Sequence, residues 1–331
     1  MAFEAKQYEE MSEFIRQVKE EIGKFIVGQE EAVDYTIYAI LADGHVLLEG
    51  LPGLGKTMLV RTIADVLSLS FSRIQFTPDL MPADITGTSI IERLESGKQQ
   101  FTFQKGPIFS QIVLADEINR ATPKTQSALL EAMGEKTVTV LGDTKSMEKP
   151  FFVLATQNPI EMEGTYPLPE AQLDRFICKV LLPYPTKRDL MQIMERTTGA
   201  TQVVLQKVME QDRLLMAQQM VKEVMIADDL LSYAVDLVMA TNPEAEQAIP
   251  EVKQYVQYGS GPRGVQSIIK LAKARAVVNG RFHVSVADIK AVLQPALRHR
   301  ILLNYEGEAA EQTADSILAL ILQKVQQGAA V

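Results

Sequence analysis

Cysteine and histidine are scarce in this chain, which limits the chemistry available to it. The 331 residues include one cysteine, Cys178, and three scattered histidines. A single cysteine cannot form an intrachain disulfide, and no histidine stands near it at the spacing of a metal-ligand pair. A Gly-x-Ser-x-Gly nucleophile motif is also missing. These absences favour a protein of a reducing compartment and argue against disulfide, Cys/His metal and serine-nucleophile chemistry.

Long apolar runs and an excess of positive charge are missing as well. No stretch approaches the ~20 apolar residues that a membrane-spanning helix needs, and the first 21 residues carry six glutamates where a signal peptide would be basic and then apolar. The net charge of −9 disfavours a broadly basic surface for nucleic acid, although a local basic channel could exist within an acidic whole. We therefore expect a soluble, cytoplasmic protein that does not insert into membranes.

Length and periodicity predict two domains. The chain is longer than one core usually supports, while its hydrophobic fraction of 47% is typical of globular proteins. Pro183 and Pro185 interrupt regular structure and mark a boundary, which we place after residue 184. The residues beyond it carry amphipathic helical patterns over 186–198, 206–222, 228–240, 263–278, 285–293 and 314–325.

A phosphate-binding loop stands at residues 50–57, where the sequence reads Gly-Leu-Pro-Gly-Leu-Gly-Lys-Thr. It fits the pattern of a glycine, four free positions and Gly-Lys-Thr, and it lies between an apolar run typical of a buried strand and a helix-compatible run. The glycines let backbone N–H groups turn toward phosphate oxygens, and the following helix directs its positive end to the same place. Lys56 would contact the β- and γ-phosphates and Thr57 would bind Mg²⁺. The predicted nucleotide contacts are Gly50, Pro52, Gly53, Leu54, Gly55, Lys56, Thr57 and Met58.

Two carboxylates follow the apolar run at residues 112–115. A parallel strand there would bring Asp116 and Glu117 to the edge of the sheet that carries the phosphate-binding loop. Asp116 could then hold Mg²⁺ through water, and Glu117 could take a proton from an attacking water. Paired acids after a strand are common, so the prediction depends on the loop upstream.

Three further segments each allow two interpretations. Val27 and Gly28 precede the first strand and could contact adenine, or they could simply start a helix. Asn158 follows the apolar run 151–156 and could orient the attacking water, or it could be a turn-forming asparagine before proline. Arg175 and Arg263 could act on nucleotide, or they could be a surface cation and a residue at a helix entry.

Two segments predict hairpins inserted into a minimal nucleotide-binding fold. Residues 85–109 alternate short β-type runs with turn residues. Residues 136–149 repeat that pattern around Gly142 and Asp143.

With these residues in this order the chain resembles an AAA+ ATPase, and two longer blocks resemble the MoxR family. The blocks run from Asp116 to Met133 and from Glu163 to Phe176. The resemblance covers nearly the whole chain. It implies an α/β fold, with a P-loop AAA+ αβα parallel-sheet core followed by a C-terminal all-α helical lid domain. It also implies assembly into a homo-oligomer, typically a hexameric ring, and it places the helix-2 insert at the first hairpin.

Roles carried over from the resemblance use ATP and Mg²⁺. Lys56 and Thr57 match the Walker A ligands, Asp116 the Walker B metal residue, Glu117 the general base, and Asn158 sensor 1. Arg175 matches the arginine finger that acts on the adjacent subunit's ATP, and Arg263 matches sensor 2. Because the lid can swing in relatives with this insert, the resemblance leaves open whether Arg263 acts on its own subunit's nucleotide or on a neighbour's.

The resemblance implies a chaperone-like ATPase that remodels or matures partner proteins, including proteins with a von Willebrand factor A domain. The alternative is a nucleic-acid motor, since helicases of the minichromosome-maintenance type share the insert. Lys98, Lys136, Lys145 and Lys149 on the two hairpins keep that alternative open. A scaffold with little hydrolysis is disfavoured because Glu117 and Arg175 are both in place.

Overall fold

The structure, a computed structural model, describes residues 3–93, 99–140, 142–159, 164–198 and 204–328. The predicted turn at residues 95–98, with Lys98, lies outside the described residues. Glu163 of the second family block lies outside them too.

A five-stranded parallel sheet forms the centre of the core. Its strands, in chain order, are β1 (Val46–Glu49), β2 (Phe71–Gln75), β5 (Ile112–Asp116), β8 (Phe152–Gln157) and β9 (Cys178–Leu181). They lie in the sheet in the order β2-β5-β8-β1-β9. The inner strands β1, β5 and β8 are near-continuous apolar runs, as expected of strands covered on both faces, whereas the edge strands β2 and β9 include polar and exposed residues. The core helices are α1 (Ala5–Gly23), α2 (Glu30–Leu41), α3 (Lys56–Val66), α4 (Pro82–Thr86), α5 (Pro123–Glu135) and α6 (Glu170–Leu173).

The two faces of the sheet pack into different hydrophobic clusters because alternate side chains point to opposite sides. Leu47 lies in one cluster with Phe76, Phe151 and Phe176, whereas Leu48 lies in the other. The cluster around Leu48 continues into the C-terminal helices. The lid therefore shares its apolar core with one face of the sheet.

Both predicted insertions are antiparallel hairpins. The first consists of β3 (Gly87–Arg93) and β4 (Gln99–Lys105), and the second of β6 (Thr137–Val140) and β7 (Asp143–Ser146). The hairpins meet where the Lys145 ammonium lies 4.6 Å from the centre of the Phe103 ring.

The C-terminal region is helical, as the periodicity predicts. Its helices are α7 (Lys187–Thr198), α8 (Gln211–Glu223), α9 (Asp228–Met239), α10 (Pro250–Tyr255), α11 (Pro262–Val278), α12 (Val286–Leu297), α13 (Tyr305–Ala309) and α14 (Ala314–Gly328). Helix α8 begins five residues later than predicted, because the preceding segment bonds its backbone to Val66 at the end of α3. The short helices α10 and α13, and a small ribbon of β10 (Val256–Tyr258) with β11 (Leu302–Leu303), are additions to the prediction.

Candidate nucleotide site and basic face

The phosphate-binding loop joins the carboxyl end of β1 to the amino end of α3. Gly53 and Gly55 have φ angles of 82° and 77°, values that favour glycine, and both face open space. Gly50 is confined instead, since an added Cβ would lie 2.9 Å from Leu182. The loop thus combines two unobstructed glycines with the start of an 11-residue helix, an arrangement typical of phosphate-binding loops.

Hydrogen bonds to backbone carbonyls hold Lys56 and the loop in place. The Lys56 ammonium donates to the carbonyl of Gly50 at 2.6 Å and lies 3.5 Å from that of Gln157. Gln29, which the sequence analysis did not single out, donates to the Leu54 carbonyl at 2.6 Å. Thr57 is half-buried, while Pro52 and Met58 are exposed.

Gln29 also ties the loop to the segment proposed to contact adenine. Val27 is buried and lines a cavity of about 240 Å³ with residues of α1, α2 and α7. Gly28 has a φ of 69° and packs so closely on α7 that an added Cβ would lie 2.7 Å from the Asp189 carboxyl carbon. The predicted base contacts therefore lie beside the loop, and Val27 borders an open space.

Asp116 ends β5 and is held from two sides. Its Oδ1 accepts a hydrogen bond of 2.6 Å from the buried Thr156 hydroxyl. Its Oδ2 accepts from both Nε and Nη2 of Arg73, at 3.0 and 2.7 Å. Arg73 lies on the adjacent edge strand β2, so the edge strand neutralises the predicted metal-binding carboxylate.

Glu117 adopts a left-handed backbone conformation, with a φ of 56°, that is uncommon for glutamate and frequent at functional sites. Its N–H donates to the Thr156 hydroxyl at 2.8 Å. Its carboxylate accepts from Gln75 at 2.8 Å and pairs with Arg120 at 3.2 Å. Gln75 in turn accepts from Arg73, so one network of the edge strand holds both acids.

Sequence reasoning missed Arg73 and Gln75. The signal in the sequence was that Arg73 and Gln75 stand two positions apart in one short β-type run. Side chains two apart lie on the same face of a strand, and polar ones indicate a strand at the edge of the sheet. That β2 neighbours β5 cannot be read from chain order, because the sheet order is not sequential.

Magnesium suits the oxygen donors at this edge. The Thr57 hydroxyl and the Asp116 carboxylate are hard ligands of the kind that Mg²⁺ takes along with water and phosphate oxygens. No cluster of three His, Cys, Asp or Glu side chains capable of holding a metal occurs in the described part of the chain. A metal would therefore depend on the nucleotide for further ligands.

Asn158 lies directly after β8, between the loop strand and the strand of the two acids. It is buried, and it adjoins Gln157, whose carbonyl faces Lys56. The carboxyl ends of the strands thus bring together Lys56, Asp116, Glu117 and Asn158.

Arg175 lies at the opposite end of the sheet, where the strands begin. It precedes β9, which runs parallel to β1 with Cys178 beside Val46 and Leu181 beside Glu49. Its guanidinium donates to the Leu130 carbonyl of α5 and lies against Gly134.

Arg263 lies at the same end of the sheet as Arg175. Its Nη1 is 3.4 Å from Oδ2 of Asp174, the residue before Arg175. Both arginines line a cavity of about 360 Å³. Its cationic residues are Lys136, Arg175, Arg263, Lys270 and Arg300, and its acidic residues are Asp43 and Asp174. We call this surface the basic face.

The two sequence blocks that resemble the MoxR family are joined by hydrogen bonds. Gln126, buried in α5, donates to the carbonyls of Ile118, Ala121 and Tyr166. Tyr166 returns a backbone hydrogen bond to the Asn119 carbonyl at 2.6 Å. The blocks thus connect the turn after the two acids to the segment that leads to Arg175.

Among the described residues no helix is both long and apolar enough to cross a membrane.

Comparison with known families matches both parts of the chain. A model of the ATPase family associated with various cellular activities (AAA) matches residues 45–178, and a model of the AAA lid domain matches residues 250–321.

Individual proteins match over most of the chain. Chaperone MoxR1 of Mycobacterium tuberculosis is 42% identical over 92% of this chain and 80% of its own length. Protein MoxR of Methylorubrum extorquens is 30% identical over 91% of each chain. A crystal structure of a Cytophaga hutchinsonii protein superposes with a TM-score of 0.90, at 42% identity and covering 96% of both chains.

Proposed function

The chain belongs to the MoxR family of AAA+ ATPases, and we propose that it hydrolyses ATP in a hexameric ring whose sites are shared between neighbouring subunits. The energy would be used in the cytoplasm to remodel or mature partner proteins. In this proposal the core comprises residues 1–184 and the lid residues 185–331.

The position of Arg175 carries this proposal. The phosphate-binding loop leaves the carboxyl end of β1, whereas Arg175 precedes the amino end of the adjacent parallel strand β9. The four residues of each strand separate the two ends of the sheet by on the order of 10 Å. The Arg175 guanidinium is also bound to α5, through the Leu130 carbonyl. This separation supports a role for Arg175 at a nucleotide on another subunit. A heterologous interface between identical chains forms a ring when its rotation closes, and the proposal takes it to close.

Arg263 supports the same arrangement. It lies on the basic face beside Arg175, and its side chain is 56% exposed. We infer that Arg263 also acts on the neighbour's nucleotide. The basic face would then lie against the carboxyl end of the next subunit's sheet, where the phosphates, Asp116 and Glu117 carry negative charge.

Within one site each residue would have a distinct task. Lys56 and the loop N–H groups would hold the phosphates, Glu117 would accept the proton of the attacking water, and Asn158 would orient that water. Bound Mg²⁺, held by Thr57 and Asp116, would polarise the phosphoryl oxygens. Arg175 would stabilise the charge that develops on the γ-phosphate, a contribution worth roughly 10³–10⁵ in rate in related phosphoryl transfer.

The first hairpin is the best-supported surface for a protein client. Ile91 and Phe101 stand directly opposite each other on β3 and β4 and are 58% and 74% exposed. An exposed apolar pair on an inserted hairpin is typical of a surface that contacts another protein. Partners with a von Willebrand factor A domain are the client class that we propose.

The nucleic-acid alternative has weaker support. Lys136 pairs with Asp43, and Lys145 lies over the Phe103 ring. These two cations of the second hairpin are already engaged, which reduces the positive charge available to a phosphate backbone.

Assembly measurements test the proposal. We expect the Glu117→Gln variant with ATP to form rings of six subunits in analytical ultracentrifugation, while the wild type hydrolyses ATP under the same conditions. Monomers at saturating ATP would contradict the shared site. Hydrolysis that rises with added DNA and falls steeply with salt would favour the motor instead.

A further inference from the structure

Arg300 of the lid binds the backbone on both sides of Arg175. Its Nε donates to Oδ1 of Asp174 at 2.7 Å, and its Nη2 donates to the carbonyls of Asp174 and Phe176 at 3.1 and 2.7 Å. Its Nη1 donates to the carbonyl of Ala296 in α12. One guanidinium thus connects the end of α12 to the residue before and the residue after Arg175.

This connection is buried. The Arg300 side chain is 3% exposed, so its hydrogen bonds are shielded from competing water. Arg175 itself is exposed on the basic face. The buried Arg300 therefore holds the backbone that carries the exposed Arg175.

The residues next to Arg300 reinforce the attachment. His299 is buried, and its Nε2 donates to the same Phe176 carbonyl at 3.0 Å. Arg298 reaches the Lys179 carbonyl on β9 at 3.4 Å and pairs with Asp315 of α14 at 3.0 Å. Three consecutive lid residues therefore bind the segment that runs from Asp174 into β9.

We propose that Arg300 is a positioning residue, through which the lid of one subunit sets the place of Arg175 at the neighbouring subunit's ATP. This rests on the proposed function, because it takes Arg175 to act across the interface. A shift of the lid would move the carbonyls and carboxylate that Arg300 holds, and the guanidinium of Arg175 would move with them. Lid position in one subunit would then control hydrolysis in the next.

The geometry requires arginine at position 300. The planar guanidinium donates in several directions at once, whereas a lysine ammonium is a point charge on a flexible stem. Arg300→Lys keeps the positive charge beside Asp174 but cannot hold Asp174 and Phe176 together. We expect it to lower turnover by about 10- to 100-fold, as misplacement of a catalytic group by roughly 1 Å does.

The first measurement separates positioning from binding. Arg300→Lys and Asp174→Asn should bind ATP with a dissociation constant within about twofold of wild type. Their kcat should fall, with the larger loss in Arg300→Lys. Arg213→Lys is the matched control, since Arg213 lies over the Phe14 ring on another side of the lid, and it should keep the wild-type rate.

Mixed rings supply the decisive measurement. Glu117→Gln subunits cannot hydrolyse ATP but carry an intact Arg175, so they should restore hydrolysis at the sites of Arg300→Lys subunits beside them. Random mixing at equal amounts should recover about a quarter of the wild-type rate, because each productive site needs one subunit of each kind. A misfolded subunit would not recover.

The outcomes distinguish this inference from the function on which it rests. Full turnover by Arg300→Lys alone would overturn the role of Arg300, as would loss without recovery in its mixed rings while mixed rings of Arg175→Ala and Glu117→Gln do recover. Full turnover by Arg175→Ala, measured in parallel, would instead overturn the shared site itself.

Discussion

Arg73 lies across Asp116, with both Nε and Nη2 of its guanidinium bonded to the same carboxylate oxygen at 3.0 and 2.7 Å. That oxygen belongs to the residue proposed to hold Mg²⁺ through water. A cation fixed there would occupy part of the space of the metal's hydration shell and cancel part of the charge that attracts the metal. We therefore predict that Arg73 competes with Mg²⁺.

We expect Arg73→Met to lower the Mg²⁺ concentration needed for half-maximal hydrolysis. Since Arg73 is partly exposed, the gain should be modest, about three- to tenfold. A magnesium titration at fixed ATP measures it. Arg16→Met, which removes an exposed arginine of α1, is the control. An unchanged or higher magnesium requirement in Arg73→Met would show that Arg73 supports the metal site.

Glu117→Gln should bind ATP and stall. The amide cannot accept the proton of the attacking water, while the Gln75 and Thr156 contacts remain within reach of the new side chain and its backbone. Turnover should fall by about 10²-fold or more, and the dissociation constant for ATP should change little. Steady-state hydrolysis together with equilibrium binding of a fluorescent ATP analogue checks both values. Wild-type turnover would exclude Glu117 as the base.

The exposed pair on the first hairpin should serve the client and not the chemistry. The double substitution Ile91→Ser with Phe101→Ser should leave basal hydrolysis unchanged and abolish its stimulation by a chemically unfolded protein. Tyr305→Ser, at an aromatic residue of the lid that is 85% exposed, should leave the stimulation intact. Equal stimulation in all three proteins would place the client surface elsewhere.

Stability should fall as the pH drops below about 6.5, the ordinary pKa of histidine. Burial lowers the pKa of His45 to about 4 and that of His299 well below its usual value. Because the folded state keeps both rings neutral while the unfolded state protonates them, their stabilising contribution is complete above about pH 6.5 and is lost as the pH falls below it, for His45 down to about pH 4.

Urea unfolding at about pH 8 and about pH 5.5 measures this loss. Each histidine should remove about 1.4 kcal/mol from the free energy of unfolding at the lower pH. His45→Gln should reduce the difference by about half. Equal free energies at the two pH values would contradict the buried neutral state of these histidines.

Much of the fold could be predicted because its signals are local. The glycines and lysine of the loop, the apolar strands and the long amphipathic helices each show themselves within about a dozen residues. The short elements α10, α13 and the β10–β11 ribbon have too few residues to establish a period. The order of the strands is a matter of tertiary packing.

The candidate site was predictable only in part for the same reason. Asp116 ends a strand, and Glu117 and Asn158 come directly after strands, so all three can be assigned to the carboxyl end of the sheet from the sequence. The contacts of Arg73 with Asp116 and of Arg300 with Asp174 join residues 43 and 126 positions apart. They depend on which strand lies next to β5 and on where the lid packs, so no local pattern indicates them.

The central claim is that each ATP site is shared by two subunits, and mixing two inactive variants tests it most directly. Arg175→Ala and Glu117→Gln should each lack turnover alone. Mixed at equal amounts, they should recover about a quarter of the wild-type rate, because a Glu117 from one subunit then meets an Arg175 from the next. A mixture as inactive as its components would contradict the shared site, as would an Arg175→Ala protein that hydrolyses ATP at the wild-type rate alone.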